Sequence, residues 1–110
     1  MGYPMSAGAD PLLHLCFEAE VIVWRGPSPY FFAPVPQAVA DEIRRIARAA
    51  SYGWGVIPVE ATIGETTFTT SLFPRDGTYL LPVKDAVRRQ AGVTAGDRIA
   101  VAMTVRFAGR

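Results

Sequence analysis

Lys84 and Arg88 lie one helical turn apart in PVKDAVRRQAG, so a helix there would carry both cations on one face. Trp24, Tyr30 and Trp54 are the aromatic residues best placed to accompany them, with Phe32 beside Tyr30 in the same strand. Aromatic walls with a cationic anchor fit an anionic small molecule, and Lys84, Arg88, Trp24, Tyr30 and Trp54 form the candidate ligand site. Trp24 is the most telling, because it falls on the polar side of its strand. The plainer alternative packs the aromatics under helices and gives Lys84 and Arg88 to carbonyl groups or to Asp85. A second basic cluster, Arg44, Arg45 and Arg48, could follow a nucleic-acid backbone, but Asp41 and Glu42 stand beside it and ordinary surface pairs would use it up.

The remaining chemistry is sparse. His14 is the only histidine and Cys16 the only cysteine. They share a strand face at i and i+2, too few ligands for a zinc site, and a lone cysteine forms no intrachain disulfide. Ser71 falls within a strand and has no histidine to activate it. GVTAGD holds two glycines, but it follows a helix and opens a strand, the reverse of a phosphate-binding loop. No catalytic residue, metal ligand or cofactor is therefore assigned. A cofactor-free enzyme working through Tyr, Arg and Asp remains an alternative class.

The elements that must hold these residues read clearly. A chain of 110 residues makes one domain, expected over 12–110 after a flexible tail at 1–11. Leu13, Leu15, Phe17, Ala19, Val21 and Val23 alternate with polar positions as one strand, and RGPSP turns it back into a second, YFFA. From Pro36, Val39, Ile43, Ile46, Ala47 and Ala50 recur at helical spacing, with Gly53 as the cap. GVIPVEATI and TTFTTSLF form a hairpin through Gly64-Glu65, with Pro58 marking an edge or a bulge. PRDG, with Gly77 at positive φ, leads into TYLL, then KDAVRRQAG as a short helix and IAVAMTVRF as the last strand.

The order is strand, strand, helix, strand, written twice. PVPQAV at Pro34 recurs as PVKDAV at Pro82 after a shift of 48, and the shift falls to 42 beyond the helix. Half-units of three strands and one helix leave edges unpaired, and two copies can close around one core. The expected fold is a closed six-stranded split β-barrel with internal pseudo-duplication, ββαβ twice, and two short helices capping its ends. Pro34, Pro82 and Val83 form its strand-to-helix corners, and Gly77, Gly96 and Asp97 its turns.

The string Ser71-Leu72-Phe73-Pro74, Gly77, Tyr79, Leu81-Pro82-Val83-Lys84, Val87-Arg88 and Gly96-Asp97 closely resembles a family of small bacterial proteins. It is the domain of unknown function numbered nineteen-oh-five, and the likeness runs over about residues 14–107. The resemblance implies a six-stranded split barrel, distantly similar to the swapped-hairpin barrels of AbrB-type regulators and MazE-type antitoxins. It brings no established catalytic residues. A tryptophan common just ahead of the second strand's aromatics is absent here, where Tyr30 begins YFF.

A net charge of +1 supplies no field for polyanions or membrane surfaces. No apolar run approaches the roughly eighteen residues of a membrane helix, and the N-terminus lacks a secretory signal's basic start and apolar core. MGYPMS formally fits a myristoylation pattern, but Tyr3 and Pro4 suit it poorly. The expectation is a cytoplasmic, non-enzymatic binding domain, monomeric or weakly homo-oligomeric. An AbrB-like nucleic-acid-binding regulator is the runner-up.

Overall fold

The computed structural model describes residues 12–24, 30–50 and 57–106. The tail at 1–11, the turn at 25–29, the proposed cap at Gly53 and the candidate ligand residue Trp54 lie outside them. The elements are β1 (Leu12–Glu20), β2 (Ile22–Trp24), β3 (Tyr30–Pro34), α1 (Gln37–Ala50), β4 (Ile57–Ile63), β5 (Thr66–Arg75), β6 (Thr78–Pro82), α2 (Asp85–Ala91) and β7 (Arg98–Arg106). All neighbouring strands are antiparallel, in the order β1-β7-β4-β5-β6-β3-β2.

Over the described residues the chain is mainly β with two helices, as its alternating runs require, but its sheet is curled and open and has seven strands. This corrects the closed six-stranded barrel. The run read as one strand breaks at Val21, whose N–H donates to the Asp97 carbonyl and whose carbonyl accepts from the Gly96 N–H, both at 2.8 Å. With its backbone committed to that turn, the chain leaves β7 at Glu20 and joins β3 at Ile22. β1 and β2 thus become the two ends of the order, and no ladder joins them.

Period-two patterning sets the core. Ile57, Val59, Ala61 and Ile63 of β4 and Ile99, Val101, Met103 and Val105 of β7 are buried together, joined by Leu72, Leu81, Val83 and Ile43. Pro58 also requires a correction. β4 is an interior strand between β5 and β7, but its ladder with β7 starts only at Val59. Among the described residues the missing proline N–H thus falls just outside that ladder.

Two two-residue hairpins fix the register. Gly64, at φ 61°, opens the β4–β5 turn, and Asp76 and Gly77, at 51° and 84°, form the β5–β6 turn with the paired positive φ of a type I′ geometry. α1 buries Ala40 and Ile43. Its exposed side reaches the second hairpin, where Gln37 Nε2 donates to the Gly77 carbonyl at 3.2 Å and Arg44 donates to the same oxygen.

Candidate functional site

Between Phe73 and Arg75, β5 pairs with β6 through Phe73–Leu80, Pro74–Tyr79 and Arg75–Thr78. Continued in register, that ladder would set Pro82 opposite Ser71 and Lys84 opposite Thr69. Pro82 has no N–H to donate, and the ladder stops. The chain then leaves β5, turns through Val83 and enters α2. What remains is an open cleft of about 1110 Å³, walled by Thr69, Thr70, Ser71 and Phe73 on one side and Tyr30, Phe31 and Phe32 on the other. Its floor is Pro82, Val83, Lys84 and Asp85.

The repeated corners meet beneath it. Val35 N donates to the Tyr79 carbonyl and Val83 N to the Phe31 carbonyl, both at 2.9 Å, and Ala33 pairs with Leu81 between them. Pro34 and Pro82 thus flank the β3–β6 ladder, while Val35 and Val83 drop into the core. The Gly96-Asp97 turn is held by Thr94 N–H donating to Asp97 Oδ2 at 2.9 Å and by the two bonds to Val21.

Charge in the cleft is uneven. The Asp85 carboxylate accepts from Arg88 at 3.0 Å and is neutralised there. The Arg88 guanidinium lies 3.7 Å from the Phe31 ring centre, and its Nε is buried with no hydrogen-bond partner. Lys84 is exposed and forms no ion pair among the described residues. Among the described residues, the cleft therefore offers the unmatched positive charge of Lys84 between aromatic walls.

Of the candidate ligand residues, Lys84 and Tyr30 line the cleft, and Arg88 stands behind one of its walls through Phe31. Trp24 packs edge-to-face on Phe32, with ring centres 6.2 Å apart, and its other partner is the Arg75 guanidinium at 3.8 Å. Trp24 thus buttresses the aromatic wall and is itself 43% exposed. Sequence reasoning missed Phe31, Phe73 and the Thr69–Ser71 hydroxyls. The register of Pro82 opposite Ser71 is the signal that could have found them.

Two members of the second basic cluster are engaged on α1 itself, and the Arg48 side chain lies outside the described residues. Arg44 pairs with Asp41 at 3.0 Å, and Arg45 pairs with Glu42. A hydrogen bond from Gln37, followed by that from Arg44, holds the Asp41 carboxyl below its ordinary pKa. His14 Nδ1 shares a hydrogen bond with Thr104 at 2.9 Å, and no metal-binding cluster occurs among the described residues. Within the same residues, no helix is long and apolar enough to cross a membrane.

Fold and cleft together define a small, mainly-β domain with an aromatic, cationic groove at a strand-to-helix corner. The family model described as Domain of unknown function (DUF1905) matches residues 17–103, and the chain belongs to that family. No curated protein matches the chain.

Proposed function

We propose that the protein is a non-enzymatic binding domain whose cleft holds an anionic small molecule, with the anion on Lys84 and an apolar body between Phe31, Tyr30 and Phe73. The observation that carries this reading is the unmatched Lys84 ammonium on a floor whose carboxylate, Asp85, already has Arg88. Thr69 and Ser71 supply hydroxyls for orientation, as a site with few polar groups requires. The nucleic-acid alternative is weaker, because Arg44 and Arg45 are spent on α1's own carboxylates.

The finer architecture belongs to the same reading. The paired bonds from Val35 and Val83 support a duplicated ββαβ unit. We read the domain as cytoplasmic and monomeric, or weakly self-associating.

Titration of isotope-labelled protein with 4-hydroxybenzoate and indole-3-carboxylate tests the site. Amide shifts should cluster at residues 30–32, 69–73 and 83–85. Shifts absent at millimolar ligand, or spread over α1, would overturn the reading.

A further inference from the structure

The cleft lies along the edge of a strand, and this points to a ligand class. Thr69, Thr70 and Ser71 are successive residues of β5, whose side chains alternate between faces, yet all three line the same opening. An opening that touches three consecutive residues reaches the strand's edge as well as a face.

The hairpin register says which backbone groups look out. Ile63 and Thr66 close a two-residue turn, so Thr66, Phe68, Thr70 and Leu72 bond to β4. Residues 69 and 71 turn their N–H and C=O to the opposite edge. That edge is used by β6 from Phe73 onward and carries no ladder at 69–71. Unpaired strand edges lined by apolar side chains are templates for an added strand.

We infer that the cleft takes up the C-terminal end of an extended peptide as an extra strand on β5, with the terminal carboxylate on Lys84. The terminus follows from charge. The unmatched Lys84 ammonium lines the cleft while Asp85 is paired with Arg88, which selects a carboxylate end over an ammonium end. The ladder of β6 on β5 begins at Phe73–Leu80, so an added strand must stop short of that pair. Phe31 and Tyr30 receive its side chains. This inference rests on the cleft being a binding site and replaces the small molecule with a polypeptide terminus of the same charge.

The test uses labelled whole protein and an acetylated tetrapeptide of valine and threonine ending in leucine, in three forms: free acid, C-terminal amide, and free acid N-methylated along its backbone. 4-Hydroxybenzoate is run beside them. The free acid should bind roughly tenfold tighter than the amide, the effect of one partly screened charge contact. The N-methylated form should lose binding, amide exchange at Thr69 and Ser71 should slow on binding, and Lys84→Met should equalise acid and amide. Equal binding of the N-methylated peptide overturns strand addition without any change to the protein. Binding of 4-hydroxybenzoate but of no peptide overturns the inference and leaves the small-molecule reading standing. Silence from both sinks both.

Discussion

Leu80 and Leu81 are neighbours in one strand and both are buried, at 7% and 0% exposure, but only Leu81 belongs to the central hydrophobic cluster. Their side chains point to opposite faces, Leu81 into the core beside Ala33 and Leu80 onto the outer face next to the exposed Phe73. Leu81→Ala removes three carbon groups from a closed site. At about 0.8 kcal/mol each this is about 2.4 kcal/mol of transfer energy, and the unrelaxed cavity raises it to about 3–4 kcal/mol. The same truncation at Leu80 leaves a space that neighbouring outer-face side chains can settle into, for about 1–2 kcal/mol. Against a typical stability of roughly 5–15 kcal/mol, the first change is severe and the second tolerable. Urea denaturation at constant m-value measures both. Equal losses, or a loss below about 1 kcal/mol at Leu81, would refute the assignment of faces and with it the β3–β6 register under the cleft.

Thr78 Oγ1 donates to the Val35 carbonyl at 2.6 Å across the two halves, so Thr78→Val should cost about 1 kcal/mol by the same denaturation assay. Asp97→Ala deletes the acceptor for Thr94 N–H in the turn that bends the first strand; a loss of about 1 kcal/mol is expected, with raised hydrogen exchange at Val21 and Thr94. The lowered Asp41 pKa contributes stability that is present above the unfolded chain's carboxylate pKa and is lost as pH falls through the folded value. Asp41→Asn should therefore flatten the acid side of a stability–pH curve and leave the neutral side nearly level. An unchanged acid limb would remove Asp41 from the account.

Much of the fold was legible because burial repeats with the period of the backbone. Ile99, Val101, Met103 and Val105 alternate as a half-buried strand must, and all four are buried. Gly92 ends α2 at φ 73°, as a glycine after a short helical run should. The break at Val21 was not legible: valine is a good strand residue, and what bends the chain there is a pair of bonds to Gly96 and Asp97, far along the sequence. Pro58 misled for a related reason, since the cost of a missing N–H depends on where the neighbouring strand ends. Lys84 and Tyr30 were named from their chemistry, and both line the cleft. Thr69 and Ser71 were not, because an open edge is a property of register between strands and no single residue type announces it.

The central claim is that Lys84 gives the cleft its selectivity for anions, and one comparison tests it. Affinities of 4-hydroxybenzoate and its methyl ester are measured for the native protein and for Lys84→Met. A partly screened contact near 4 Å, with an effective dielectric between about 20 and 80 and some desolvation to offset, leaves about 1–2 kcal/mol, or roughly 5–30-fold. The native protein should prefer the acid over the ester by that factor, and the variant should bind the two alike. A preference that survives Lys84→Met, or none in the native protein, contradicts the claim.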